Sequence, residues 1–290
     1  MSAVILDGRA SAALIKRKLA HHIVALQKQH KIVPGLAVIR AGDHQASQVY
    51  VASKMQQCQE VGIQSFQATF KEKTSHEEIL EQIHRFNANP QVHGILVQMP
   101  LPRHLDSEKI IHAIDPLKDV DGLHPENLGA LMAGVPRIVP CTPQGCLSLL
   151  RQYRKNLKGL LAVIIGRSIL VGKPLALLLL QENCTIVIAH SKTRHLPELC
   201  RQADILVAAA GHPCLVKGSW VKPGAIVLDV GINRMANKDG TSDLLGDVDF
   251  EEVKEIAGAI TPVPGGVGPM TVAALLQNTV KLMTHQLGLI

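Results

Sequence analysis

An apolar run, Leu161-Ala162-Val163-Ile164-Ile165, gives way to Gly166-Arg167-Ser168-Ile169-Leu170-Val171-Gly172-Lys173-Pro174. A buried strand, a glycine-bounded turn and a helix opened by proline are the parts that aim backbone N–H groups and a helix dipole at a phosphate. The spacing is not G-x-G-x-x-G, so the loop alone leaves an ordinary strand-to-helix turn equally open. The next strand sharpens the choice. In NAD-binding folds an acidic residue ends it and holds the ribose hydroxyls. Here Cys184 to Ala189 runs into His190-Ser191-Lys192-Thr193, with no acid. Hydroxyl and basic groups there, together with Arg167 and Ser168, suit a 2′-phosphate and predict NADP over NAD, with a polar solvent-facing turn as the plain alternative. A third strand, Leu228-Asp229-Val230-Gly231-Ile232-Asn233, ends on glycine as a loop lining a cofactor would.

A second set of residues stands earlier in the chain. Tyr50 and Lys54 are four apart and share one helix face. Gln98 closes the strand Gly94-Ile95-Leu96-Val97 just before Met99-Pro100-Leu101-Pro102, at the carboxyl end where α/β ligand sites form. Asp119 and Asp121 lie in Lys118-Asp119-Val120-Asp121-Gly122. Singly, each has a plain explanation: a surface pair, a strand end, a loop turn.

The elements that must position these residues alternate. Helical spacing over Ala10 to His30, about Ser47 to Glu60, and Ser75 to Asn87 is interleaved with strands at Leu36 to Ile39, Ile63 to Phe70 and Gly94 to Gln98. Ser75 with Glu78 three residues on makes a capping box. A Pro- and Gly-dense section, Asp115 to Gly145, is the expected interdomain connection. Helix Gln144 to Asn156 then leads into strands at Leu160 to Ile165, Cys184 to Ala189, Ile205 to Ala210, Ala225 to Val230 and Ala257 to Ile260. Helices are expected at Lys173 to Gln181 and Met270 to Gln286. Strands alternating with helices imply mostly parallel sheets. The expected architecture is two α/β domains around a cleft, the second Rossmann-like with a parallel sheet.

Composition narrows the classes. The chain has 290 residues, 47% apolar and 19% charged, which fits one or two ordinary domains and not a disordered chain. No apolar stretch approaches the roughly 20 residues of a membrane span. Asp7 and Arg9 in the first ten residues argue against a secretory or mitochondrial leader, so a cytoplasmic protein is expected. The six cysteines show no C-x-x-C pair and read as buried small hydrophobes; no metal site is expected. The net charge of +6 suits a phosphorylated or carboxylated ligand. One Trp, two Tyr and four Phe give few platforms for stacking single-stranded nucleic acid, and no nucleic-acid partner is expected.

Taken together, the stretches around the second set change the weighing. Ala46-Ser47-Gln48-Val49-Tyr50-Val51-Ala52-Ser53-Lys54, Gly94 to Pro102, Lys118 to Gly122 and Pro264-Gly265-Gly266-Val267-Gly268-Pro269-Met270-Thr271 resemble the motifs of one family. That family is the bifunctional methylenetetrahydrofolate dehydrogenase/methenyltetrahydrofolate cyclohydrolases. The resemblance covers nearly the whole chain, from Asp7-Gly8 to the last helix. It implies a folate-binding catalytic domain over residues 1–140, joined by the C-terminal helix 270–290, and an NADP-binding domain over 141–269. By the same resemblance, Lys54 matches the catalytic lysine, Tyr50 the tyrosine flanking the folate, Gln98 the glutamine that positions the lysine, and Asp121 the aspartate anchoring the pterin. Gly166, Arg167, Ser168, Ser191 and Ile232 match NADP-binding positions, and Gly268 and Pro269 the folate-side loop. The chain departs from the usual family pattern at Ile169, Leu170 and Ala41, apolar neighbours of the site.

The implied reactions are oxidation of 5,10-methylenetetrahydrofolate with NADP and hydrolysis of the methenyl product to 10-formyltetrahydrofolate. The implied partners are tetrahydrofolate derivatives and a second copy of the chain, in a homodimer. A lysine ammonium would disfavour the methenyl cation, so Lys54 is expected uncharged, or sharing its proton with Tyr50 or Gln98, during hydride transfer. Three rivals stay open at this point. One is an NADP dehydrogenase of another small substrate, one a basic RNA-binding protein, and one a member with a single activity.

Overall fold

The alternating helix and strand patterns fold as two α/β units. The computed structural model describes residues 2–42, 45–236 and 242–289; for residues 45–47, 49 and 236 it describes the backbone alone, which takes in part of the first motif. Along the chain the elements begin β1 (Val4–Ile5), α1 (Gly8–His30), β2 (Gly35–Ala41), α2 (Gln45–Val61), β3 (Gln64–Phe70), α3 (His76–Ala88) and β4 (Gly94–Val97). Then come α4 (Ser107–His112), α5 (Pro125–Met132), α6 (Cys141–Tyr153), β5 (Leu161–Ile165), α7 (Gly172–Gln181), β6 (Thr185–Ala189), α8 (Leu196–Cys200) and β7 (Ile205–Ala208). The remainder is β8 (Ile226–Asp229), β9 (Asn233–Ala236), β10 (Ser242–Leu245), α9 (Phe250–Val253), β11 (Ala259–Ile260) and α10 (Val267–Gln286).

One unit comprises Ala13–Val139 and Val272–Ile290. Its sheet has the order β3-β2-β4, all parallel. The central strand β2 is buried along nearly its whole length, as a parallel strand covered on both faces must be. Ala37, Ile39, Ile95 and Val97 pack with Ile79, Ile83 and Phe86 of α3 and with Ile110 and Ile114. The α3 residues repeat at the i, i+4, i+7 spacing of one helix face. Truncating the fully buried Ile83 to alanine would cost about 2 to 5 kcal/mol. The expected capping box forms: the Ser75 hydroxyl accepts from the Glu78 N–H, and the Glu78 carboxylate accepts from the Ser75 N–H.

The other unit comprises Met1–Ala12 and Pro140–Thr271. Its six-stranded sheet runs β1-β11-β8-β7-β5-β6, every pair parallel. After β5 the chain moves outward to β6, then returns to the opposite side of β5 for β7. That reversal makes the loops after β5 and β7 a topological switch point. The strand interior is apolar, with Val163, Ile165, Leu206, Ala208, Val227 and Ile260 in one core.

The structure adds elements the hydrophobic pattern does not announce. The Pro- and Gly-dense section holds α5 and the start of α6 rather than loop alone. Proline sits at the first turn of α5, where its missing N–H is harmless. Domain 1–140 was the expectation, yet β1 pairs with β11 in the six-stranded sheet. A two-residue strand is too short to carry a period. Among the described residues, no helix is long and apolar enough to cross a membrane.

Candidate functional site

In the three-stranded unit, α2 carries Tyr50 and Lys54 one turn apart, and Gln98 follows the last residue of β4. The structure joins two of these expected residues directly: Lys54 Nζ donates to Gln98 Oε1 at 2.8 Å. Gln98 Nε2 in turn donates to the Met99 carbonyl at 2.6 Å, which turns the amide oxygen toward the lysine. The Gln98 N–H is tied to the Ile39 carbonyl of the central strand, so the sheet sets its position. Tyr50 is partly exposed on the same helix.

Asp121 stands in a segment fastened at each of the three residues before it. Lys118 is buried, and its Nζ donates to the carbonyls of Phe86, Asn87 and Asn89 at 3.2, 2.7 and 2.8 Å. Those carbonyls close the C-terminal end of α3, where the helix dipole favours a cation. Burial lowers the Lys118 pKa from its ordinary value, with Asp115 opposing. The Asp119 carboxylate accepts from the His124 N–H at 2.8 Å and from Asn127 Nδ2 at 2.9 Å. Asn278 of α10 donates to the Val120 and Val139 carbonyls, both at 3.0 Å. Of the two acids noted in the sequence, Asp119 is thus consumed by the frame and Asp121 is the half-buried one. A small recess beside them is lined by Ile95, Val97, Met99, Ile111, Ile114 and Leu123, with Asp119 and Asp121 as its acidic residues.

Three of the buried cysteines are held as thiols by their surroundings. Burial pushes the Cys58 thiol up to about 12, with Lys54 one turn away pulling more weakly the other way. Burial does the same to Cys146 and Cys200.

In the six-stranded unit Gly166, Arg167 and Ser168 follow β5 at the switch point, while Ser191 follows β6 and Ile232 follows β8. Gly166 follows β5 with φ +138, and a Cβ there would stand 2.3 Å from the Ala209 carbonyl, so no other residue fits this turn. The loop then folds back. Ser168 Oγ accepts from the Val171 N–H at 3.1 Å and the Ser168 carbonyl from the Lys173 N–H at 3.1 Å. The arrangement delivers the N-terminus of α7, where Val171 makes no side-chain cap, to the carboxyl edge of the sheet. Arg167, Ser168 and Ser191 are exposed. That cradle fits a dinucleotide phosphate chain, and the residues after β6 carry no acid to repel a further phosphate. Ile232 is exposed after β8, and its Cδ1 lies 3.9 Å from where a Cβ on Gly268 would be. The structure therefore brings Ile232 and Gly268 together, two positions quoted from separate motifs. Pro269 follows in the first turn of α10.

Sequence reasoning passed over the role of two buried acids in this unit, Asp229 and Asp247. Burial pushes the Asp229 carboxyl up to about 7, against the pull of its backbone N–H bonds and helped by the charge of Asp247. Their signal in the sequence is faint: each is an acid beside or near a glycine, in Gly246-Asp247 and in Asp229-Val230-Gly231.

Known proteins match both units. The model of the tetrahydrofolate dehydrogenase/cyclohydrolase catalytic domain matches residues 6–121, and that of the tetrahydrofolate dehydrogenase/cyclohydrolase NAD(P)-binding domain matches residues 140–287. The bifunctional protein FolD of Cereibacter sphaeroides is 54% identical over 289 residues, covering 100% of this chain and 97% of that protein. The crystal structure of the bifunctional enzyme FolD, methylenetetrahydrofolate dehydrogenase/cyclohydrolase, from Campylobacter jejuni superposes with a TM-score of 0.94 at 46% identity, over 98% of this chain and 100% of that one. The Trypanosoma brucei N5,N10-methylenetetrahydrofolate dehydrogenase-cyclohydrolase, solved with NADP cofactor and inhibitor, superposes with a TM-score of 0.96 at 37% identity, over 99% of each chain. With both domain models matched in order along one chain, and relatives matched from end to end, this protein belongs to the tetrahydrofolate dehydrogenase/cyclohydrolase family.

Proposed function

We propose that this chain oxidises 5,10-methylenetetrahydrofolate with NADP and hydrolyses the resulting 5,10-methenyltetrahydrofolate to 10-formyltetrahydrofolate, two steps of one-carbon metabolism. Lys54, Tyr50, Gln98 and Asp121 serve the folate, with Gly268 and Pro269 on its side loop. Gly166, Arg167, Ser168, Ser191 and Ile232 hold the nucleotide. The observation that carries this reading is the 2.8 Å contact from Lys54 to Gln98, which joins two motifs 44 residues apart in a chain of this family.

Bound NADP supplies the hydride acceptor for the first step. The chain's own residues bind and orient the folate and manage its charge. Loss of hydride from the carbon bridging N5 and N10 leaves a methenyl cation, which an adjacent ammonium would oppose. Lys54 is therefore uncharged at that stage, and the fixed Gln98 oxygen holds its Nζ in place whether or not it carries the extra proton. In the second step water adds to the methenyl carbon, and the bond from that carbon to N5 breaks as the formyl carbonyl forms on N10. One of the water's two protons ends on N5 and the other leaves to solvent. Lys54 is the group that relays the first. The Asp121 carboxylate pairs with the amino and ring N–H donors of the pterin, a two-point match that selects the ring. Tyr50 flanks the folate from the face of α2.

The purified protein, given methylenetetrahydrofolate with NADP and in parallel with NAD, tests the reading. NADPH should appear without lasting accumulation of the methenyl product. NADPH with methenyl building up would remove the second activity, and no reduction of either nucleotide would remove both. The protein as we read it is a cytoplasmic homodimer; light scattering at twice the 31.3 kDa chain mass is the expected result.

A further inference from the structure

We propose that Asp247 is a positioning residue for the nucleotide: from beneath the sheet edge, its buried carboxylate fixes the loop after β7 that forms one wall of the switch point. This inference rests on the reading that NADP binds at that switch point.

Asp247 is completely buried, while Ala210, Gly211 and His212 above it are exposed. Three consecutive backbone N–H groups of that loop converge on the one carboxylate. Asp247 Oδ2 accepts from Ala210 at 2.6 Å and Gly211 at 2.8 Å, and Oδ1 accepts from His212 at 2.9 Å. A fourth donor, Asn233 Nδ2 at 2.9 Å, belongs to the residue after Ile232. One side chain thus binds the exits of both β7 and β8, the strands that flank the crevice on that side. Convergent N–H groups of this kind form an anion nest, here filled by the protein's own acid.

The geometry leaves little room for slack. The Ala209 carbonyl, one residue before the loop, already lies where Gly166 tolerates no Cβ, so any movement of the loop toward β5 meets the phosphate-binding turn. Asp247 is itself held by a second acid. Asp229 Oδ1 accepts from the N–H of Asp247 at 2.9 Å and of Gly231 at 3.0 Å, and Oδ2 from Val248 at 2.9 Å. A Cβ on Gly231 would stand 2.2 Å from Asp247 Oδ1, and one on Gly246 1.7 Å from Asp229 Oδ2. Burying a carboxylate without a paired cation is costly, and the four N–H bonds offset that cost only while the loops keep this arrangement.

Asp247→Asn separates positioning from mere support of the fold, because it keeps the size and turns one acceptor into a donor facing an N–H. The hydrolysis of methenyltetrahydrofolate needs no hydride acceptor, so it reports on the fold and the folate site without the nucleotide. The expected result is a rise of tenfold or more in the NADP KM and in the NADPH dissociation constant measured by titration. Methenyl hydrolysis and the folate KM should stay within about twofold of the parent protein. An equal fall in both activities, or an NADPH affinity changed less than twofold, overturns the proposal. If Asp247→Asn does not fold, Asn233→Ala removes a single donor; a two- to fivefold weakening of NADPH is expected, and no change overturns the proposal. Failure of the parent protein to bind NADPH would instead overturn the nucleotide reading itself.

Discussion

Lys54 and Gln98 meet at 2.8 Å across the step from α2 to the end of β4, and the glutamine's other amide atom is spent on the Met99 carbonyl. The lysine is thereby given an acceptor whose orientation is fixed by backbone. Lys54→Gln is expected to lower methenyl hydrolysis by about 10²- to 10⁴-fold, the usual contribution of a positioned proton-transfer group. A native rate in a stopped-flow absorbance assay would remove Lys54 from that step. Gln98→Ala, which leaves the amine in place and removes its acceptor, is expected to lower the same rate by less.

Lys118 offers a way to disturb Asp121 without touching it. Lys118→Met keeps the apolar stem and removes the ammonium from three carbonyls at the end of α3. The expected loss of stability is about 2 to 4 kcal/mol, read from urea denaturation. In the protein that remains folded, the folate KM should rise while the NADP KM does not. A rise in both, or in neither, would show that the Lys118 anchor does not act on the pterin end.

His93 makes stability sensitive to acid. Its Nδ1 accepts from the Gly35 N–H at 2.9 Å, and burial, helped by nearby Lys118, lowers its pKa to about 4. In the unfolded chain the ring takes a proton near 6.5. Between those values the unfolded state binds more protons, so stability is full above about 6.5 and falls as pH drops toward 4, by about 3 kcal/mol in all. His93→Asn, whose side-chain oxygen can replace Nδ1, should flatten that part of the curve of unfolding free energy against pH. An unchanged slope between pH 6.5 and 4 would assign the acid sensitivity elsewhere.

Nucleotide choice is expected to turn on the residues after β6. Ser191→Asp places an acid where NAD-binding folds hold the ribose hydroxyls and where a 2′-phosphate would be repelled. The ratio of kcat/KM for NADP to that for NAD should fall at least tenfold, with methenyl hydrolysis unchanged. A constant ratio would mean that the 2′-phosphate does not reach Ser191.

How much of this could be read from the chain differs between its parts. The strand β5, the capped helix α3 and the parallel alternation follow from period and capping chemistry, and their boundaries shift by only a few residues. The Lys54–Gln98 pairing is legible only through the family resemblance carried by the motifs around the two residues, since each alone reads as a surface pair or a strand end. The frame behind Asp121 is not. Lys118 reads as a surface cation until the fold places the three carbonyls of α3 around it, and Asp119 reads as an equal of Asp121 until His124 and Asn127 take up its oxygens. Asp229 and Asp247 are hidden for the same reason: a buried acid is justified by donors brought from distant loops, and no local spacing records them. The short strands β1, β9 and β10 carry too few residues for a period to show.

The pairing of β1 with β11 also bears on the order in which the protein can be completed. Val4 is made about 250 residues before its partner Ala259. At ordinary synthesis rates that is a wait of about 10 to 50 s, during which Val4 and Ile5 have no neighbouring strand. The edge of the six-stranded sheet is therefore closed late, by a segment that has waited for a partner made about 250 residues after it. In the other unit the three-stranded sheet needs no late strand, but the Val120 and Val139 carbonyls wait for Asn278 of α10. A ribosome stalled before Ala259 would display a six-stranded sheet still lacking β11, and a three-stranded sheet with all its strands made but α10 still missing from its unit.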